Sequence, residues 1–301
     1  MPLWKNYHVA NTITDALQVL ANAPGPARLI AGGTDLLLDM QQGRHQSVDT
    51  LVDVTAIPDL NTIELRQDKL YIGGAVPLNQ IVRSGLVHDH ARALVEACAL
   101  IGGPQVRNTA TLGGNVAHAL PAADGTIALL ALDAQVEVAG AQGTRLEPLE
   151  ELFVGPGKSI LDPRRELIAG FYVPLIAPGQ ASAFTRIMRP QGVALPILNL
   201  ALWLQRAGER VAAIRIAIGP AGPKPFRARE TEASMRGQVF SGALLQGAVD
   251  RLLSESRFRT SPYRASQEYR RQVAGVLLED AAGLAWQRAV DSEQWTVSSD
   301  Q

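Results

Sequence analysis

Two glycine pairs stand where a polypeptide can hold a phosphate. Gly32-Gly33-Thr34 follows the short apolar run from Ala27 to Ile30 and precedes the leucine-rich stretch from Asp35 to Met40, so it falls between an expected strand and an expected helix. Glycine lets the backbone turn sharply there and leaves amide N–H groups pointing outward, with the positive end of the helix dipole behind them. An ordinary strand-to-helix turn uses the same residues. Gly113-Gly114-Asn115, preceded by Thr111, repeats the arrangement farther along, and two donor-rich turns facing one another across a cleft would share a pyrophosphate. Neither turn has the spacing GxGxxG or GxxxxGKS/T, and neither has an adjacent lysine for a γ-phosphate.

Other groups offer less specific chemistry. Asp124 follows the second turn and is expected either to accept hydrogen bonds from sugar-type hydroxyls or to cap the next helix. Arg107, in the loop before that turn, is expected to face a phosphate, a partner's acid or solvent. The five histidines, His8, His45, His88, His90 and His118, lack HxxxH or HExxH spacing, and only His118 lies beside a glycine turn. The single cysteine, Cys98, sits in an apolar stretch and reads as a buried structural thiol, too few for a disulfide or a thiolate metal site. From Arg251 to Arg271 there are six arginines against two acids, a face that solvent or a protein partner would cover.

The elements that must position these groups are legible from local pattern. Thr12 is a good N-cap, with Asp15 three residues on and Ile13, Ala16, Leu17 and Leu20 on one stripe, and Pro24-Gly25-Pro26 ends that helix. Strands are expected at Thr50 to Thr55, around Leu70 to Ile72, at Ala134 to Gly140 and at Glu166 to Pro174. Helices are expected at Ala91 to Leu100 and Thr126 to Leu132. Pro174 to Gly179 marks a domain boundary; Ile197 to Leu204 and Val211 to Ile218 pair about a turn at Gly208, and the chain from about Ser241 is expected to be helical.

With 301 residues, 47% apolar and 19% charged, the chain is long enough for about two compact domains. Its 28 basic and 29 acidic residues give a net charge of −1, which leaves no global field for nucleic acid or an anionic membrane. No apolar run reaches the ~18 residues of a membrane span and the start lacks a signal-peptide core, so a cytoplasmic address is expected.

RLIAGGTDLL (28–37), GGPQVRNTATLGGN (102–115) and PAADG (121–125) together resemble the FAD-binding subunit of the molybdenum hydroxylases, the family of xanthine dehydrogenase and carbon monoxide dehydrogenase medium subunits. GPGKSILDPRRELIAGFYVP (155–174) and YRASQEYRRQVAGVLLEDA (263–281) extend the resemblance over nearly the whole chain.

The resemblance implies an α+β fold: a two-lobed vanillyl-alcohol-oxidase-type FAD domain over residues 1–178, with lobes of about 1–57 and 58–178. A C-terminal domain over 179–291, with a small antiparallel sheet and helices, and a tail at 292–301 would follow. It implies FAD held by Arg28, Leu29, Ile30, Ala31, Gly32, Gly33, Thr34, Asp35 and Leu36 in the first loop, by Thr111, Gly114 and Asn115 in the second, and by Asp124. Ile101 and Leu167 would pack on the flavin or adenine ring.

The resemblance further implies a large molybdopterin-binding subunit and a small iron-sulfur subunit as partners, assembled as a dimer of heterotrimers. Electrons would pass from the clusters through FAD to an external acceptor, with a purine or related N-heterocycle oxidised elsewhere in the complex. A self-contained flavin oxidase and a flavin-free scaffold are the competing readings. The short segment from Asn115 to Asp124 lacks the cysteine-bearing insertion of some relatives, and Pro190-Gln191 stands where many have an acid. A bulky residue at Gly33 or Gly114 is expected to remove FAD and leave the fold.

Overall fold

The computed structural model describes residues 2–189 and 195–299, with side chains to residue 294; Pro190 and Gln191 lie outside the described residues. The first lobe is built from β1 (Asn6–Val9), α1 (Ile13–Asn22), β2 (Ala27–Ile30), α2 (Leu36–Gln41) and β3 (Thr50–Asp53). Its sheet has the order β1-β3-β2 with both pairs parallel, which requires the crossover helix that the Thr12 cap begins. Thr12 Oγ1 accepts from the Asp15 amide at 3.0 Å, and Ala16 and Leu20 bury the inner face of α1. A leucine buried as fully as Leu20 contributes about 2 kcal/mol.

The second lobe comprises β4 (Ile63–Arg66), β5 (Lys69–Gly73), α3 (Leu78–Arg83), α4 (Gly85–His90), α5 (Arg92–Leu100), α6 (Pro104–Arg107), α7 (Leu112–Ala117), α8 (Asp124–Ala131), β6 (Gln135–Gly140), β7 (Gly143–Pro148), β8 (Phe153–Gly155), β9 (Lys158–Ser159) and β10 (Glu166–Pro174). Its antiparallel sheet runs β4-β5-β10-β6-β7, so β10 is central and apolar on both faces. Leu167 and Ala169 pack toward the first lobe with Ala75 and Ala139, whereas Ile168, Phe171 and Val173 join the second lobe's core. A bulge between Ile168 and Gly170 shifts the alternation by one residue, which lets one strand serve two cores.

The third unit holds β11 (Gln180–Met188), β12 (Pro196–Ala207), β13 (Arg210–Gly219), β14 (Phe226–Arg227), α9 (Arg229–Met235), α10 (Gly242–Glu255) and α11 (Gln267–Ser299). Its antiparallel sheet has the order β11-β12-β13-β14. Ala274, Ala281, Ala282, Ala285 and Ala289 are fully buried, and these small side chains let the long helix α11 lie against β11 and β12. Glu96 of α5 ties this unit to the second lobe, accepting from the Phe184 amide at 2.9 Å and from Arg288 Nη2 at 2.5 Å.

Two expectations are corrected. The chain from Ser241 is not continuously helical, because residues 256–266 form an ordered loop between α10 and α11. The expected tail does not begin at 292: α11 runs on to Ser299, the Gly179 amide donates to Ser292 Oγ at 3.1 Å, and Arg206 pairs with Glu293 at 2.7 Å, while residues 300–301 lie outside the described residues. Local pattern does not mark the strands β1, β4 and β7 or the helices α3 and α4, each too short to show a period, nor β11, whose buried run Ala181–Phe184 does not alternate.

Candidate functional site

The first loop is a cradle of unanswered donors. Arg28 and Leu29 are half-buried on β2 and Ile30 is buried; Ala31 to Thr34 form a half-buried turn, Asp35 is exposed, and half-buried Leu36 opens α2. The amides of Gly32, Gly33, Thr34 and Asp35 find no acceptor among the described residues, and Asp35 makes no side-chain cap. N–H groups left without an acceptor at a helix start are of the kind that can take an anion. Among the described residues Arg28 makes no hydrogen bond or ion pair; the charges of both Arg28 and His118 reach His45. Burial, then the Arg28 charge, pushes the His45 imidazole below its usual range, with His118 and Arg44 acting the same way and Asp39 against them. The two histidines were not among the residues expected to hold a cofactor; His118 stood out only by adjacency, and His45 had no signal at all.

The second loop differs from expectation. Its amides are spent inside the chain: Leu112 donates to Val76, Gly113 to Gly74, Gly114 to Thr111 Oγ1 at 3.0 Å and Asn115 to Thr111. Buried Thr111 is the N-cap of α7, so this turn offers no free backbone donors at its centre and contributes through side chains. The Asn115 carboxamide oxygen accepts from the Thr126 amide at 3.3 Å, which leaves its NH2 group to donate.

The two loops do meet. A Cβ on Gly32 would stand 2.0 Å from the Thr109 carbonyl oxygen, so only glycine lets the first loop seat against residues 109–110. Gly33 has φ +66°, a left-handed conformation, and a Cβ there would press on Ile30 and Leu37 rather than fill open space. Exposed Gly114 is the different case: a Cβ there meets only Thr111 Oγ1, at 3.1 Å. The expectation that Gly33 and Gly114 act alike is therefore corrected, since Gly33 is held by backbone conformation and Gly114 alone borders free room.

Asp124 is 4% exposed and is the first residue of α8, with Ala123 at the cap position. Its Oδ1 accepts from Asn199 Nδ2 at 2.5 Å and its Oδ2 from Arg186 Nη1 at 2.5 Å. Burial pushes this carboxyl up, against the opposing pull of Arg186 and Asn199. Both partners come from the third unit, so the acid locks α8 to β11 and β12 while lying just past the second loop. No sequence spacing announces this pair.

Ile101 is half-buried at the end of α5, and Leu167, 3% exposed, lies behind the first loop in the same apolar cluster as Leu29 and Ala31. Arg107 is half-buried and folds onto its own loop: its Nη1 donates to the Gly102 and Ile101 carbonyls at 2.7 and 3.2 Å, and its Nε to Asn79 Oδ1 at 3.2 Å, fixing the turn around Gly102. A cleft of about 540 Å³ lined by Pro77, Asn79, Gln80, Arg83 and Asn108 opens beside that turn. Cys98 is fully buried and burial raises its thiol, as a structural cysteine requires. Among the described residues no group of three His, Cys, Asp or Glu is placed to hold a metal ion, and no helix is long and apolar enough to cross a membrane.

A two-lobed α+β domain with a turn of unanswered amides beside Arg28, and a third unit with an antiparallel sheet, is an architecture suited to an anionic, phosphate-bearing ligand. The sequence profile of the FAD binding domain in molybdopterin dehydrogenase matches residues 4–176, and that of the CO dehydrogenase flavoprotein C-terminal domain matches residues 182–284. The chain belongs to the FAD-binding subunit family of the molybdenum hydroxylases and is an oxidoreductase flavoprotein. It is 30% identical to the xanthine dehydrogenase FAD-binding subunit of Escherichia coli O157:H7 over 88% of this chain and 90% of that one. It is 28% identical to the carbon monoxide dehydrogenase medium chain of Hydrogenophaga pseudoflava over 94% and 97%. The solved structure of that organism's carbon monoxide dehydrogenase superposes with a TM-score of 0.90 at 28% identity, covering 96% of this chain and 99% of the other.

Proposed function

We propose that this chain is the electron-transfer subunit of a heteromeric molybdenum hydroxylase, holding FAD between its lobes and passing electrons from a partner's iron-sulfur clusters to an external acceptor. The observation that carries the reading is the free-amide turn at Gly32–Asp35, beside Arg28, His45 and His118, on a chain matched over 88% and 94% of its length by proteins named as an FAD-binding subunit and a medium chain. The Gly32–Asp35 amides and Arg28 bind the diphosphate, with His45 and His118 beside it; the Asn115 NH2 group donates to an outer phosphate oxygen and Asp124 accepts from hydroxyls; Thr111 holds α7 in register. Gly114 leaves room for the group, and Ile101 and Leu167 stand at the apolar surface for its rings. When bound, the flavin supplies the redox couple, and this chain supplies binding, orientation and field.

Within that reading the division is 1–178 for the FAD domain and 179 onward for the C-terminal domain. The partners are a large molybdopterin-binding subunit and a small iron-sulfur subunit in a dimer of heterotrimers, located in the cytoplasm. The organic substrate is selected in the large subunit, a purine or related N-heterocycle being the class proposed.

The test is an anaerobic rapid-mixing experiment on the assembled complex with its organic substrate. Flavin absorbance is expected to fall only when the iron-sulfur partner is present, and a complex carrying the Gly114→Leu chain is expected to reduce its clusters but not the acceptor. Direct reduction of the isolated, FAD-loaded chain by the organic substrate would overturn the reading in favour of a self-contained oxidase. Undiminished acceptor reduction by an FAD-free complex would favour a scaffold.

A further inference from the structure

The loop between α10 and α11 carries positive charge that no acid among the described residues answers. Arg270, in the first turn of α11, is 1% exposed, and its Nε and Nη1 have no hydrogen-bond partner. The charges acting on it are those of Arg264 and Arg259, which together with burial push its guanidinium down, and Arg264 is lowered by burial and by Arg259. Among the described residues neither Arg259 nor Arg264 forms an ion pair or hydrogen bond through its side chain.

The two acids of this stretch are already engaged. Glu255 accepts from the Glu230 and Thr231 amides at 3.0 and 3.1 Å, and Glu268 is held by its own amide and Ser266. A buried charge without a counter-charge is costly unless something outside the chain supplies one.

The loop is also pre-shaped. The Ser261 amide donates to the Ala265 carbonyl at 2.9 Å, the Arg264 amide to Ser261 at 3.1 Å, and the Gln267 amide to Thr260 Oγ1 at 3.1 Å. At its tip Tyr263 is 84% exposed, beside the half-buried Arg264, and Tyr269 is 42% exposed. Planar guanidinium forks match carboxylates, and Tyr and Arg together are the residues that anchor protein interfaces.

We propose that Arg259, Arg264 and Tyr263, seated over the buried Arg270, form a docking site for an acidic segment of a partner subunit. Carboxylates of that segment meet Arg259 and Arg264, the Tyr263 ring packs on the segment's backbone or apolar side chains, and the charge of Arg270 beneath strengthens the field that draws them. A protein segment fits better than a small anion because an anion alone leaves the Tyr263 ring uncovered. The inference rests on the reading that the chain works inside a multi-chain enzyme.

The test uses the purified complex of the full chain with its partners. Because Arg270 is buried, the variants are at the reachable positions: Arg259→Ala with Arg264→Ala is expected to weaken assembly about tenfold and to flatten its salt dependence. Arg264→Lys, treated with a carbodiimide in the assembled complex, is expected to form a zero-length cross-link to an Asp or Glu of another chain. Assembly of the double variant with unchanged affinity and salt dependence would overturn the proposal, as would a cross-link confined to this chain or to a second copy of it. Thermal stabilisation of the isolated chain by inorganic phosphate, lost in the double variant while assembly is unchanged, would reassign the site to a small anion. A wild-type chain that joins no other chain overturns both this inference and the functional reading; failure of the variants alone overturns only this one.

Discussion

The two glycine loops have nearly the same composition and opposite hydrogen-bond economies. In the first, the amides of Gly32 to Asp35 are free and the glycines are fixed by backbone approach and by a left-handed φ. In the second, every amide from Leu112 to Asn115 is answered by Gly74, Val76 or Thr111, and the exposed Gly114 borders open room. A glycine pair at a helix start therefore signals a tight turn, and whether that turn donates to a ligand depends on which carbonyls pack beneath it. On the proposed reading the first loop gives backbone donors, while the second loop and Asp124 give side chains and space.

The sharpest break in that comparison is at the side-chain half of the site. Asp124→Ala leaves Arg186, whose charge it answers in the interior, without that carboxylate. The loss is about 3–5 kcal/mol, read as a lower denaturant midpoint and loosened contact between the lobes and the third unit. Next comes Gly32→Ala, which forces a methyl to 2.0 Å from the Thr109 oxygen; a cost of about 3 kcal/mol and loss of bound flavin are expected together, by thermal unfolding and the flavin-to-protein absorbance ratio.

Gly114→Leu should separate the two effects. The apo fold is expected to melt nearly as the wild type, while FAD affinity falls at least about tenfold, roughly 1.4 kcal/mol, by titration of the apo chain. Retained stoichiometric flavin in this variant would remove the second loop from the site. Thr111→Val removes the α7 cap and is expected to cost about 1 kcal/mol of stability, with a smaller effect on flavin.

The smallest expected effect concerns pH. His45 has its folded pKa below the ordinary value of 6.5, so the unfolded chain takes up the proton more readily, and apo stability is full above that value and declines as pH falls below it. A diphosphate at the first loop raises the same imidazole, so FAD affinity should rise as pH falls from about 7.5 to about 5.5. His45→Gln is expected to flatten both trends; an unchanged pH profile of FAD affinity would place the diphosphate away from His45.

Much of the scaffold was legible because its signals are local. The Thr12 cap, the Pro24-Gly25-Pro26 stop, the Gly208 turn and the apolar runs of β2, β3, β6 and β10 each act over a few residues, within the range of propensity and turn chemistry. The bulge in β10 was not legible, since it records a demand from two cores at once. Nor was Arg107, which reads as a phosphate ligand or surface charge until the Gly102 turn folds back beneath it.

The sequence by itself determined that the chain has two glycine turns at helix starts, an acid after the second, and the segments that make it an FAD-subunit family member. Tertiary structure decided which turn keeps its amides, because Gly74 and Val76 arrive from a strand end about forty residues earlier to satisfy the second. It also decided that Asp124 is answered by Arg186 and Asn199, and that Arg28, His45 and His118 share one field. Hydrogen bonds and charges of this kind are made between residues far apart in sequence, and only the packing of the lobes brings their donors and acceptors within reach.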